Sequence, residues 1–435
     1  MGLFSKHLSS IHVEHYKNTA GYVSEVMPIP EKVFISMSQH IGAPCKPVVQ
    51  KGDYVKVGQL IGDTDAFISA PIHASVSGEV VGIEQDRSNT GGKDTYIVIA
   101  SDGKQEPWEG LAVPQCDTLA DFIKAIRSSG LVGLGGATFP THVKFNPKNI
   151  DEIDTLVVNG AECEPFLTSD YRNMIECTDD IVSGIKLVMK YLGLTKCYVG
   201  IENNKPDGIA TISEALKDVP GASVVELQSS YPQGAERVLL YETTGNLIPA
   251  GVLPASVGCI LSNISSIMFV GQYFRTGMPL VSKKLTIDGN AVTEPKNVVA
   301  PIGAKVYDVI NYCGGYKSTP KKILFGGPMM GKALYNDGAV LVKSSNSILV
   351  FDNQQAVLPE PAVCINCGRC HRACPIDLMP TWYYKAYNAN NAQRLADLQI
   401  TQCMECGSCS YVCPAKLPLA FTHKLAKALV KEAGL

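Results

Sequence analysis

Eight cysteines near the C-terminus stand at a spacing that binds iron. They read Cys364-Ile-Asn-Cys367-Gly-Arg-Cys370-His-Arg-Ala-Cys374-Pro375 and Cys403-Met-Glu-Cys406-Gly-Ser-Cys409-Ser-Tyr-Val-Cys413-Pro414, each a C-x2-C-x2-C-x3-C-P run. Three thiolates so spaced wrap a short loop around three corners of an iron-sulfur cube, and the fourth corner comes from the other run. The spacing therefore predicts two [4Fe-4S] clusters. One uses Cys364, Cys367, Cys370 and Cys413, and the other uses Cys403, Cys406, Cys409 and Cys374. Gly368 and Gly407 free the backbone to turn, and Pro375 and Pro414 end each ligand loop. A pair of zinc sites is the alternative, since C-x2-C also suits zinc, but zinc leaves the doubled period and its prolines unexplained. Neighbouring cubes pass single electrons, so this region reads as a wire that needs a source and a sink. The remaining cysteines, at 45, 116, 163, 177, 197, 259 and 313, lack ligand spacing and read mostly as small buried hydrophobes.

A second stretch with chemical potential is Leu131-Val-Gly133-Leu-Gly135-Gly136-Ala-Thr-Phe139-Pro140-Thr-His-Val-Lys144-Phe145. Small residues let a phosphate or a flat ring approach the backbone, and Lys144 offers a counter-charge. The loop follows a helix rather than a strand, so it is not the dinucleotide fingerprint, and a plain turn remains the other reading. That helix is expected to be capped by Asp117, to bury Leu119, Phe122, Ile123 and Ile126, and to close at Gly130. A strand over Thr155–Asn159 then leads into Gly160-Ala-Glu162-Cys-Glu164-Pro165. Strand-like residues 197–201, helix-like 207–216 and strand-like 223–227 continue an α/β alternation, which predicts a mainly parallel sheet with ligands beyond its carboxyl ends. Asn159, Glu162, Glu164, Asn203, Asn204 and Glu236 follow predicted strands or lie in loops. Taken singly, each also fits a capping or solvated turn residue.

Other segments position these. Residues 52–62 and 69–82 alternate apolar and polar positions between turn glycines, as a compact β-sandwich does. They resemble the barrel-sandwich modules of lipoyl and biotinyl carriers. The hairpin that would present a modifiable lysine reads Ala70-Pro-Ile-His-Ala74, so a structural or docking role fits better than a swinging arm. Residues 284–331 form a further β-rich unit with a turn at Gly326-Gly327-Pro328. A net charge of −3 with pI near 6.3 leaves no electrostatic footprint for nucleic acid. The long uncharged run at 243–274 is broken by Pro249 and Pro254 and reads as buried protein, not a membrane span. Residues 1–10 carry no apolar signal core, and the cysteine usage suits a reducing compartment.

With these residues in view the chain resembles, over essentially its whole length, the C subunit of the Rnf complex, the ion-pumping ferredoxin:NAD oxidoreductase of bacterial membranes. The marks are Pro30-Glu-Lys-Val, Ser38-Gln-His40-Ile-Gly-Ala-Pro44, Gly135-Gly136-Ala-Thr-Phe139-Pro140-Thr, Asn159-Gly-Ala-Glu-Cys-Glu164-Pro165, Tyr231-Pro-Gln-Gly234-Ala-Glu236 and the doubled cysteine run. The middle portion is also similar to the FMN- and NADH-binding subunit of respiratory complex I. It departs from that protein in having Leu134 for an arginine, Thr138 for a glycine and Ala161 for an aspartate.

The resemblance implies a multi-domain α/β protein. Residues 1–112 would form a barrel-sandwich domain, 113–280 an FMN/NADH-binding α/β domain with a parallel sheet, 281–345 a β-grasp (SLBB-like) domain, and 346–435 a two-cluster ferredoxin-like α domain. It implies that Gly133, Gly135, Gly136 and Lys144 hold FMN, that Phe139 and Glu164 lie against NADH, that Asn159, Glu162 and Asn263 complete the flavin pocket, and that Glu236 sits near the nicotinamide. No side chain need act as acid or base in the hydride step. The implied activity is exchange of hydride between NAD(H) and FMN and of single electrons with two [4Fe-4S] clusters. The implied setting is peripheral, on the cytoplasmic side of the membrane, without a span of its own, among other Rnf subunits that include a ferredoxin-like one. A relay without flavin and a cobalamin reductase are the rivals, although the latter begins with its flavin module and places the sandwich last.

Overall fold

The computed structural model describes residues 8–89, 91–136, 138–249 and 251–435. The first seven residues and Ala137 of the glycine loop, both used in the sequence reading, lie outside that set. The alternating N-terminal segments build two small antiparallel sheets. One joins Lys32–Ser36, Lys93–Ser101, Gly78–Arg87 and Tyr54–Val55 in that order, and the other joins Lys46–Pro47, Leu60–Asp63 and Ile72–His73. Their inward residues, among them Val33, Ile35, Ile61, Ile72, Val80, Ile97 and Ile99, share one buried core. The hairpin at 70–74 is not a free tip: the Lys343 ammonium donates to Pro71 O and Gly130 O, both at 2.6 Å, and clamps it inside the molecule.

The helix before the glycine loop runs Leu119–Ser128 and buries Phe122 and Ile126. Its cap is Thr118, not the expected Asp117. The Thr118 hydroxyl accepts from the Asp121 N–H at 3.2 Å while the Asp121 carboxylate accepts from the Thr118 N–H at 3.0 Å, a reciprocal arrangement that Asp117 cannot match three residues ahead. Gly130 follows at φ +70°, where a Cβ would stand 2.6 Å from Pro71 O.

The α/β segment forms a four-stranded, all-parallel sheet in the order Ala222–Leu227, Lys196–Glu202, Thr155–Asn159, Cys259–Asn263. Helices Thr178–Leu192 and Ile264–Thr276 bury Ile181, Ile185, Val188, Ile267 and Val270 in the largest core. The chain steps outward from Thr155–Asn159 in one direction and returns on its other side with Cys259–Asn263. The strand order therefore reverses between these two, and that crevice is where ligands of such sheets bind. The uncharged run at 243–274 supplies the returning strand and its helix. Among the described residues no helix is long and apolar enough to cross a membrane.

A six-stranded mixed sheet follows, in the order Glu25–Val26, Lys296–Pro301, Ser282–Asp288, Ser347–Phe351, Lys322–Phe325, Lys332–Ala333. Two of its strands come from outside the expected 281–345 segment. Ser347–Phe351, wholly buried, sits between Ser282–Asp288 and Lys322–Phe325, so the sheet extends past the boundary drawn at 345. Glu25–Val26 joins the opposite edge in parallel with Lys296–Pro301. Residues 8–27 are thus not part of the sandwich; they run as a strap across the later units, held by side chains and by the bridge Ile11 to Tyr231. The C-terminal unit is helical, with Pro380–Asn388, Ala392–Asp397 and Leu419–Glu432 around Tyr383, Leu395, Ile400 and Val430.

Candidate functional site

Asn159 and Asn263 are paired neighbours at the carboxyl ends of the two strands that flank the reversal. The glycine loop closes over this point. Its ends are joined by the bridge Val132 to Pro140 and by Gly133 N–H to Phe139 O at 2.9 Å, and its middle is fixed by Leu134 N–H to Ser266 Oγ at 3.0 Å. Ser266 lies in the first turn of Ile264–Thr276, whose cap is Asn263, so the loop rests on the positive end of a 13-residue helix. Gly135 is needed there, since a Cβ would meet Asn263 Nδ2 at 2.5 Å. Gly136 is exposed and a Cβ on it would meet nothing within 4 Å, so its backbone is open to an approaching group. Phe139 is half-buried beside it.

Lys144 reaches the same crevice from the helix Thr141–Lys144 and donates to Leu261 O at 3.0 Å, leaving two further N–H donors. Burial holds its pKa below the ordinary lysine value, and Glu236, exposed at the start of helix Glu236–Thr244, opposes that shift. Asn159 donates to Gly234 O at 2.9 Å and accepts from Ala161 N–H at 3.1 Å, which stacks the 231–236 loop on the 159–165 loop. Cys163, read from sequence as filler, accepts from Gly234 N–H at 3.2 Å and so joins the same two loops; burial pushes its thiol up to about 12.

The two acidic residues of the 159–165 loop spend their carboxylates on backbone. Glu162 accepts from the Asp170 and Tyr171 N–H groups at 2.7 and 3.2 Å, capping helix Ser169–Glu176. Glu164 accepts from the Met329 and Met330 N–H groups at 3.0 and 2.7 Å, reaching across to the six-stranded unit. Burial raises both carboxyls from 4.5 to about 7. Gly327 makes room for this contact, since a Cβ there would lie 2.1 Å from Glu164 Oε2. Asn203 and Asn204 lie elsewhere: Asn203 serves the turn at Ser229 and Asn204 accepts from Lys205 at 2.9 Å.

Three residues of this region have no role that the sequence alone assigns. Lys17, in the strap, donates to Glu162 O, Glu164 O and Leu167 O at 2.7, 3.0 and 2.6 Å, and burial lowers its pKa to about 8. Asp170 accepts from Asn263 Nδ2 and Ser265 Oγ at 2.8 and 2.5 Å. Tyr231, wholly buried, donates its hydroxyl to Cys406 O at 2.6 Å. Nothing local in the sequence marks Lys17, whose partners lie about 150 residues away.

The eight cysteines gather into two cavities. One is lined by Cys364, Cys367, Cys370 and Cys413, the other by Cys374, Cys403, Cys406 and Cys409. Each combines three residues of one run with the last of the other, the crosswise sharing expected from the spacing. Among the described residues no three His, Cys, Asp or Glu side chains are gathered to hold a single metal ion. The two runs fold alike: Asn366 and Glu405 take φ +54° and +58°, Gly368 and Gly407 +71° and +84°. Backbone N–H groups of Glu405 and Leu378 aim at the sulfurs of Cys403 and Cys374, at 3.4 and 3.3 Å. Burial raises Cys370, Cys374 and Cys403, the last to about 11, and a thiol must lose its proton before it can ligate a metal. The four-sulfur cavities fit a cube, and the open glycine loop at a helix N-terminus fits a flavin nucleotide.

Family models match the chain in four places: the RnfC barrel sandwich hybrid domain over residues 7–104, which takes in the strap, the Nuo51 FMN-binding domain over 126–272, the SLBB domain over 284–333 and the 4Fe-4S dicluster domain over 363–417. Fold and site thus define a multi-domain oxidoreductase subunit with an FMN-binding domain and a 4Fe-4S dicluster domain. Among solved structures, the NAD+-reducing [NiFe]-hydrogenase in the air-oxidized state shares the fold, with a TM-score of 0.51 at 16% identity, covering 72% of this chain and 63% of that one. The chain is 45% identical to the C subunit of the proton-translocating ferredoxin:NAD(+) oxidoreductase complex of Clostridium ljungdahlii, over 84% of its own length and 80% of the relative's. It is 40% identical to the Na(+)-translocating counterpart of Acetobacterium woodii, over 81% and 80%, and 36% identical to the C subunit of the ion-translocating oxidoreductase complex of Rhodobacter capsulatus, over 97% and 82%. The chain belongs to the family of Rnf complex C subunits.

Proposed function

We propose that this chain exchanges hydride between NAD(H) and an FMN seated in the crevice beyond Asn159 and Asn263, and single electrons with two [4Fe-4S] clusters, as a peripheral subunit of a membrane complex that couples ferredoxin and NAD to ion movement. The observation that carries the reading is the glycine loop resting on the N-terminus of Ile264–Thr276 at the strand-order reversal, with Lys144 beside it. Bound FMN supplies the chemistry, accepting a hydride and returning electrons one at a time. The chain's residues bind and orient. Gly133, Gly135 and Gly136 present backbone, Lys144 and the helix end offset negative charge, and Asn159 and Asn263 offer amide groups. Phe139 is half-buried and Glu236 exposed, and on this reading a nicotinamide would approach them. Glu162 and Glu164 act as braces whose carboxylates hold the pocket wall in place. The cysteine tetrads hold the cubes, and the N–H groups directed at Cys403 and Cys374 favour the reduced level of the cluster they share.

Partners are the other subunits of such a complex, with a ferredoxin-like protein as electron donor or acceptor and docking from the cytoplasmic side. Reconstitution of the purified chain with iron, sulfide and FMN, followed by NADH titration under optical observation, tests the reading. Bleaching of flavin and cluster bands is expected. Failure to retain flavin sinks the hydride step and leaves a relay.

A further inference from the structure

We propose that the cavity between helix Ile264–Thr276 and the start of strand Ser282–Asp288 is a binding site for a small organic monocarboxylate, whose charged end meets the Lys283 ammonium and whose hydrocarbon body lies against Met268, Phe269 and Leu280. The cavity runs along the flank of the helix whose first turn supports the glycine loop, and it does not depend on flavin binding in the crevice.

The cavity has a volume of about 250 Å³, near the lower bound for small-molecule pockets. Its walls come from separate elements. Ser265, Met268, Phe269 and Gln272 recur at helical spacing and so present one face of Ile264–Thr276. Asn173 and Glu176 come from helix Ser169–Glu176, Ser24 from the strap, and residues 278–284 from the chain that leads into the six-stranded sheet. Ser282 in this lining is exposed, which gives the cavity a way to solvent.

Lys283 is 5% exposed, and among the described residues nothing accepts a hydrogen bond from its ammonium or forms an ion pair with it. A buried charge is ordinarily paired, because one left alone is costly. Burial lowers the Lys283 pKa to about 8 while Asp170 opposes the shift, so the group carries its proton at neutral pH. Asp170 is already engaged, since it accepts from Asn263 and Ser265. Two more polar atoms of the lining, Asn173 Oδ1 and Ser24 Oγ, are buried without a partner, and Asn173 is only 2% exposed. Lys284, by contrast, is satisfied: it donates to Glu176 Oε2 at 2.6 Å, and Arg172 donates to the other oxygen of that carboxylate. One unspent cation sets the charge of the occupant at one. A second negative charge would stand against Glu176 with no cation left to offset it, which disfavours phosphate and dicarboxylates. Water alone would serve the polar atoms, but Met268, Phe269, Met278 and Leu280 offer an apolar wall that gains from a hydrocarbon body.

The test uses the full chain, isotope-labelled at its methionine methyls, with the Met268 and Met278 signals assigned by Met268→Leu and Met278→Leu. Sodium butyrate and sodium benzoate should each move both signals saturably, and butyramide, the neutral counterpart of butyrate, should not. Lys283→Met should weaken butyrate binding about tenfold or more. Without acid present that variant should melt no lower than the unaltered chain, because it removes an unpaired buried charge. A lower melting temperature would make Lys283 a support of the fold and overturn the site. Absence of a saturable shift with either acid leaves a cavity for water only and also overturns it. Butyramide binding as well as butyrate, or inorganic phosphate binding more tightly, overturns the assigned chemistry. These last comparisons use the unaltered chain, so they hold even where a variant does not fold.

Discussion

Glu164→Gln removes one of two acceptor oxygens that the Met329 and Met330 amides share across the junction between the flavin-side loop and the six-stranded unit. The magnitude follows from the carboxyl's surroundings, since burial raises it from 4.5 to about 7. A carboxyl raised in the fold contributes stability that is complete below 4.5 and is lost as pH climbs through 7. Between about pH 5.5 and about pH 7.5 that linkage amounts to about 2 kcal/mol, roughly a thirtyfold change in the local opening constant. Glutamine cannot titrate. It also sets an NH2 donor against one of the two N–H donors, at a cost of about 1–3 kcal/mol. Hydrogen exchange of the Met329 and Met330 amides, corrected for the intrinsic pH dependence, reads the opening directly. The unaltered chain should lose protection as pH rises over this window, and the variant should be less protected at the acid end with a shallower slope. Glu162 titrates in the same direction but is present in both proteins, so it cancels in the difference. If the gap between the two proteins were the same at both pH values, the carboxylate would not be buried on those amides, and the brace between the two units would be wrong.

Other changes test the same frame. Lys17→Met leaves three carbonyls of the 162–167 loop without their donor, a loss of several kcal/mol at about 1–3 kcal/mol for each unsatisfied group; retention of FMN in equilibrium dialysis should fall with it. Gly327→Ala drives a Cβ onto Glu164 Oε2 and should cost about 1–3 kcal/mol, seen as a lower melting temperature that a second change, Glu164→Ala, partly restores. Burial depresses Lys343 from 10.5 to about 7 in the fold, so its contribution to stability is least below 7 and grows as pH rises toward 10.5. Lys343→Met should abolish that rise in melting scans over the alkaline range. Iron removal by chelation under denaturant-free conditions should cost the C-terminal unit helical circular dichroism, because Cys370, Cys409 and Cys413 are part of a core that also holds Leu417 and Leu419.

How much of this was legible depended on the distance over which a residue acts. The cysteine runs carry their meaning in local spacing, and the crosswise tetrads appear as two separate cavities. Thr155–Asn159 was readable to the residue because an apolar run ending in Asn-Gly is a local signal. The strap was not readable. Residues 8–27 show no periodicity, and their order comes from Lys17, Asn18 bonding Asp288 at 3.1 Å, and Thr19 bonding Thr168 at 2.5 Å, all across more than a hundred residues. The same holds for Ser347–Phe351. Its apolar run announces a strand, but only the paired partners reveal which sheet it completes. Glu162 and Glu164 were singled out by position, yet that their carboxylates serve as a helix cap and an inter-unit brace depends on backbone amides supplied from elsewhere in the chain.

Lysine ammonium groups close several of these long-range junctions in the same manner. Lys17 grips three backbone carbonyls, Lys343 two, and Lys205 one, Ala161 O at 2.6 Å, together with Glu202 and Asn204. Lys17 and Lys205 hold the loop beyond Thr155–Asn159, and Lys343 holds residues just after helix Leu119–Ser128 and just before strand Ile72–His73, and an unpaired buried carbonyl is costly at any of these places. Apolar contacts could press such loops together but could not satisfy them. An ammonium has three donors, enough to satisfy carbonyls from several turns at once, and its long stem lets it arrive from another unit. The cost is a buried charge, visible in the lowered pKa of Lys17 and Lys343. On the proposed function, a pocket that keeps a flat ring at a fixed separation from a cluster would gain from this exchange. Glu164, Met329 and Gly407 join the pocket wall to the cluster loop in turn: the Glu164 carboxylate accepts from the Met329 N–H, and the Met329 carbonyl lies against Gly407.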